Sequence, residues 1–162
     1  MIDIVTITRE SLTTFRSALL TLLCSLCLSQ VAHAADWNLK DKDGIEYKLS
    51  GLKGKWVLVN FWAPWCSECL DEIPDLDAIQ KKHKDLQIIG VAVMYRKTHE
   101  VMDVLRSHPA SFPVVMGNED IASNFGEIRG MPTSFLYSPA GELKDVYEGH
   151  LTQEKMEQII RH

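Results

Sequence analysis

Two pairs of cysteines, Cys24/Cys27 and Cys66/Cys69, are each spaced C-x-x-C and carry the most obvious chemistry in this chain. Four thiols at that spacing admit three readings: a zinc ribbon, two disulfides, or a redox-active dithiol. Their contexts differ. Cys24 and Cys27 lie in SALLTLLCSLCLSQVAHA, residues 17–34, a run without charge that follows Arg16 and ends in Ala32-His33-Ala34 before Ala35. That pattern reads as a secretory signal cleaved after Ala34. Its apolar centre, residues 18–28, is shorter than the roughly 20 residues of a membrane span. An uncleaved signal anchor is the alternative, with the apolar run stretched to Val31 and Ala32; the polar Gln30 and His33 argue against it. A lipid-anchor site is disfavoured by the bulky Leu23 and Leu26 ahead of the two cysteines. Export therefore leaves Cys66 and Cys69 alone in residues 35–162. A zinc ribbon then lacks its second ligand pair, and the scattered histidines do not replace it. No metal or other cofactor is expected.

A dithiol needs elements that hold it. Trp56 to Phe61 (WVLVNF) is an apolar run of strand length with Asn60 as its polar exception, as in a strand covered on both faces. A helix is expected after Cys66, with Leu70, Ile73, Leu76 and Ile79 recurring every three residues. Lys81, Lys82, His83 and Lys84 suit its C-terminal dipole end, and Pro74 should kink it. Cys66 then sits at a helix N-terminus, where free N–H groups and the dipole favour thiolate over thiol, and Cys69 lies one turn on. One sulfur attacks and the other resolves. An inert stabilising bridge is the alternative, but so small a loop gains least from closure.

The other elements follow from pattern. Trp37 to Leu49 alternates around Asp41-Lys42-Asp43-Gly44 and reads as a β-hairpin flanking the main sheet. Leu86–Met94 and Phe112–Met116 read as strands, and Thr98 is expected to cap a helix that His108-Pro109 stops. A short helix is expected over residues 120–125, ended by Gly126, then a hairpin of Thr133–Tyr137 and Leu143–Glu148. A last helix starts at Thr152, with Leu151 and Met156 as a hydrophobic staple. The alternation implies an α/β domain: one mixed sheet between two helical layers, with parallel strands and an antiparallel edge. Length fits one domain, residues 35–162, after the signal at 1–34. With 17 basic against 22 acidic residues, a net charge of −5, the chain has no cationic field for nucleic acid or anionic lipid.

Phe61-Trp62-Ala63-Pro64-Trp65-Cys66-Ser67-Glu68-Cys69, with Pro74 five residues on, resembles the thioredoxin superfamily, specifically exported thiol-disulfide oxidoreductases of the TlpA and ResA type. These include the cytochrome c maturation thioredoxins. Gly130-Met131-Pro132-Thr133, after Phe125-Gly126-Glu127-Ile128, is similar to the family's loop with a cis proline against the active-site disulfide. The resemblance spans nearly all of residues 35–162 and implies a thioredoxin-like fold with Cys66 and Cys69 as the catalytic pair. It also implies that Met131 and Pro132 offer strand-like contacts to substrate.

Three departures bear on mechanism. Asn60 stands where many cytosolic thioredoxins have an Asp that accepts the resolving thiol's proton. Glu72, three residues after Cys69, fits the acidic position of the TlpA-like branch and is the candidate to exchange that proton, against the alternative of a solvated helix Glu. Ser67-Glu68 lacks the family's frequent proline, and the Glu68 charge disfavours a Cys66 thiolate, which points to a reductant. Trp62 and Trp65 are candidates for an apolar docking platform, Trp65 beside the cysteine above all, or for core packing.

The implied activity is reduction of disulfides in periplasmic or other extracytoplasmic proteins. The implied partners are a disulfide-containing protein substrate, such as a haem-attachment C-x-x-C-H segment, and a membrane thiol-electron donor. A disulfide-donating oxidant would use the same residues. A copper metallochaperone would use Cys66, Cys69 and a distant His, here His150; C-x-x-C is one residue shorter than such sites favour. A peroxidase is disfavoured because no Thr precedes Cys66 as peroxidatic sites require. His99 and His150 otherwise show no partner in the sequence.

Overall fold

The computed structural model describes residues 36–160, so the signal or anchor expected at residues 1–34 lies outside the described residues. Two sheets form. The hairpin expected at the start is β1 (Asn38–Lys40) and β2 (Glu46–Lys48), a separate antiparallel pair whose backbone meets the main sheet at the Asp41–Val115 bridge. Asp41 Oδ1 accepts from the N–H groups of Asp43 and Ile45, closing the turn that Gly44 completes at φ +86°. The residues after β2 tighten into a 3₁₀ turn, Leu49–Leu52.

The five-stranded sheet has the order β5-β4-β3-β6-β7. β3 (Trp56–Trp62) lies at its centre, parallel to β4 (Leu86–Ala92) and antiparallel to β6 (Thr133–Tyr137). β5 (Val114–Met116) continues the parallel half, and β7 (Leu143–Glu148) is the antiparallel edge. This is the mixed sheet that the alternation of elements required, and β4 and β5 are shorter than their apolar runs.

Period 2 along β3 divides the core. Leu58 and Trp62 point to the face covered by α1 (Ser67–Lys82), α2 (Thr98–Ser107) and α4 (Gln153–Ile160), through Leu76, Ile79, Val101 and Met156. Val57, Val59 and Phe61 point to the other face. That second layer is thin, made of the hairpin, the 3₁₀ turn and the short α3 (Glu119–Ser123), with a cluster of Trp37, Phe61, Phe125 and Phe135 rings between. Asn60 therefore faces the α1 side, which decides what it touches.

Helix ends follow local chemistry, with one correction. Thr98 does not cap α2: Lys97 is the N-cap residue without a side-chain bond, and Glu100 instead accepts from the Arg96 N–H at 3.1 Å. Asn118 caps α3 through the Ile121 N–H, and Thr152 Oγ1 accepts from the Lys155 N–H. Leu151 and Met156 are both fully buried, as a staple requires. α1 runs unbroken through Pro74, which has no N–H to give the Leu70 carbonyl. Among the described residues no helix is long and apolar enough to cross a membrane.

Candidate active site

β3 ends at Trp62, and four residues later Cys66 is the N-cap of α1, with its sulfur accepting from the Cys69 N–H at 3.2 Å. The two cysteines form a disulfide with their Cα atoms 5.3 Å apart. Cys66 keeps 8% of its surface open and Cys69 only 1%. Cys66 is thus the more accessible of the two sulfurs, at the positive end of a sixteen-residue helix.

The Met131-Pro132 peptide is cis, and the Met131 carbonyl oxygen lies 3.7 Å from Cys66 Sγ. Pro132 is buried and Met131 half-buried beside the disulfide. Met131 also lines an apolar groove of about 510 Å³ with Val93, Met94, Tyr95, Ala122 and Ile128. A proline in the loop removes one donor that an approaching backbone would otherwise meet.

Behind Cys69, one helical turn on, Glu72 has no exposed surface. Its Oε2 accepts from Asn60 Nδ2 and its Oε1 from the Leu151 N–H, both at 2.8 Å. Asn60 Nδ2 also donates to Ser134 Oγ at 2.9 Å. Burial dominates and lifts the Glu72 carboxyl to about 7, while the two donors and the nearby His150 hold it down and Glu68 pushes it up. Glu72 is therefore a buried carboxyl poised near neutrality, not a solvated helix residue. Asn60, an amide, takes up no proton, and its Nδ2 holds the Glu72 carboxyl in place.

The two tryptophans part company. Trp62 is 1% exposed and belongs to the core, so the docking role open to it in the sequence is excluded. Trp65 is 62% exposed, and its indole Nε1 donates to the Met94 carbonyl at 3.0 Å. Met94 is 65% exposed and holds φ +55°, which side-chain-bearing residues rarely adopt. Trp65 and Met94 make a fixed apolar shelf beside Cys66. Met94 gave no sequence signal, since it reads only as the end of a strand.

Glu68 Oε1 accepts from the His150 N–H at 3.0 Å. His150, without a partner in the sequence, has one in space, its Nε2 lying 3.0 Å from Asp75 Oδ2. Among the described residues no three His, Cys, Asp or Glu side chains cluster as metal ligands would.

A strand, a C-x-x-C at a helix N-cap and a cis proline across from it define a thioredoxin-like dithiol enzyme. Residues 31–146 match the family described as AhpC/TSA, and the chain belongs to that thioredoxin-like family. It is 33% identical to the thiol-disulfide oxidoreductase ResA of Bacillus subtilis (strain 168), over 78% of this chain and 71% of that protein. It is 30% identical to the thioredoxin-like protein YneN of the same strain, over 78% and 76%. The crystal structure of a thiol:disulfide interchange protein of the thioredoxin family from Chlorobium tepidum TLS superposes with a TM-score of 0.72. That match has 28% identity and covers 82% of this chain and 96% of the other. The enzyme is a thiol-disulfide oxidoreductase.

Proposed function

We propose that this oxidoreductase is exported, its residues 1–34 serving as a signal or anchor, and that it reduces disulfides in periplasmic or other extracytoplasmic proteins. The observation that carries the reading is the buried Glu72 one turn beyond a buried Cys69, at the end of the pair that substrate does not reach. The Cys66 thiolate attacks one sulfur of a substrate disulfide; a Cys66–substrate bond forms, the substrate bond breaks, and the released sulfur takes up a proton. Cys69 then gives its proton to Glu72, and its thiolate attacks Cys66 Sγ. The Cys66–Cys69 bond forms, the second substrate thiol leaves, and two electrons have passed to substrate. Trp65, Met131 and Pro132 seat the substrate segment around Cys66.

Return to the dithiol needs a donor, and a membrane protein passing thiol electrons fits an otherwise oxidising compartment. The similarity to ResA and the cytochrome c maturation thioredoxins favours haem-attachment C-x-x-C-H segments as substrates. Incubation of Cys69→Ser with an oxidised C-x-x-C-H peptide is expected to accumulate a Cys66–peptide mixed disulfide visible by mass, and Cys66→Ser to form none. Trapping through Cys69 instead would overturn the assignment of roles.

A further inference from the structure

The connection from β7 to α4 brings together beside these groups two residues that the thiol steps do not use, His150 and its partner Asp75. Gly149 turns the chain at φ +80°, and a Cβ there would come within 3.3 Å of Glu68 Oε1. Three successive N–H groups are then directed to three different acceptors. Gly149 donates to the Pro132 carbonyl at 2.8 Å, His150 to Glu68 Oε1 at 3.0 Å, and Leu151 to Glu72 Oε1 at 2.8 Å. The His150 imidazole reaches back to Asp75 at 3.0 Å. Glu68, Glu72 and Asp75 are spaced i, i+4, i+7 on α1 and so share a face. One short segment thereby ties the cis-proline loop, the residue between the cysteines and the buried carboxyl together.

The charges are opposed. From α1, Glu68 and Asp75 face the segment; from β3 the uncharged Asn60 donates to Glu72 and to Ser134 of β6; from the connection itself, His150 supplies an imidazole. A protonated imidazole favours ionised Glu72, and the Glu68 carboxylate disfavours it. We propose that His150 and Glu68 are opposed positioning residues for Glu72, the imidazole, held by Asp75, favouring its carboxylate form and the Glu68 charge opposing it. The purpose of this balance rests on the reading of Glu72 as proton acceptor: it sets the pH at which Cys69 gives up its proton.

The test is a ¹³C NMR titration of the glutamate side-chain carboxyls in the oxidised protein, with the Glu72 signal assigned by its loss in Glu72→Gln. His150→Gln is expected to move the Glu72 midpoint up, and Glu68→Gln to move it down, each by about half a pH unit. Gln at 68 keeps an oxygen for the His150 N–H, so the segment stays in place. His150→Asn, which likewise removes the imidazole, is expected to move the midpoint up and stands in should His150→Gln not fold. Loosening of the segment alone cannot give shifts of opposite sign. Midpoints that stay put, or that move together in His150→Gln and Glu68→Gln, overturn the proposal. The pH profile of Cys69 attack, read in the same variants, separates the two claims. Split midpoints that the rates follow support both, whereas split midpoints that the rates ignore overturn the role of Glu72 and leave the cluster standing.

Discussion

Replacing Glu72 by Gln is expected to make the protein more stable at pH 8 while impairing its chemistry. Glu72 is wholly buried, and its carboxyl is lifted from 4.5 to about 7. Between those two values the folded chain keeps a proton that the unfolded chain has released, so stability falls as the pH rises through that window. The interval is worth about 3 kcal/mol once the pH is above 7. Gln carries no charge and escapes that loss. It also sets Nε2 against Asn60 Nδ2, donor against donor, where the carboxylate now accepts at 2.8 Å; that mismatch costs about 1–2 kcal/mol at any pH. The variant should therefore be about 1–2 kcal/mol less stable than the parent at pH 4 and about 1–2 kcal/mol more stable at pH 8. Urea unfolding of the oxidised proteins, followed by tryptophan fluorescence across that range, measures the difference. In parallel, the rate of Cys69 attack should fall by about 10²-fold or more at neutral pH. A stability difference that stays flat from pH 4 to pH 8 would mean that Glu72 holds no extra proton in the folded chain.

Two further perturbations address the surface and the direction of the reaction. Trp65→Ala removes a side chain that is 62% exposed and one hydrogen bond to Met94, so stability should change by less than about 1 kcal/mol. KM should rise for a protein disulfide and stay unchanged for a small aromatic disulfide, as steady-state assays with both would show. Glu68→Pro removes the carboxylate next to the cysteines and its bond to His150. It should make the pair more oxidising by about 30 mV or more, one tenfold step in the exchange constant with a thiol buffer; an unchanged constant would remove the argument from the Ser67-Glu68 dipeptide.

The parts legible in the sequence are those written in local patterns. The apolar run of β3, the three-residue recurrence in α1 and the C-x-x-C between them place Cys66 at a helix N-cap without any knowledge of distant contacts. Gly130-Met131-Pro132-Thr133 was readable through its resemblance, and the structure sets Met131 against Cys66. The rest depends on contacts across long stretches of chain. His150 and Asp75 are 75 residues apart, as are no motif's members, and Asn60 meets Ser134 across 74. Asn60 was visible only as a polar interruption; what it serves emerges once strand alternation turns it toward α1 and Glu72. Trp62 and Trp65 are alike in composition, and only the end of β3 between them sends one inward and the other out. The hairpin strands were legible, but their separation into a second sheet rests on the isolated Asp41–Val115 bridge.

On the proposed function, the Cys66–Cys69 pair reduces other disulfides. Its reduction potential, measured by equilibrating the protein in defined thiol buffers, alkylating free thiols and weighing the peptide that contains both cysteines, tests this most directly. A value at or below about −220 mV is expected, that of a pair which surrenders its electrons readily to less stable disulfides. A value near about −120 mV, that of a strong disulfide donor, would contradict it.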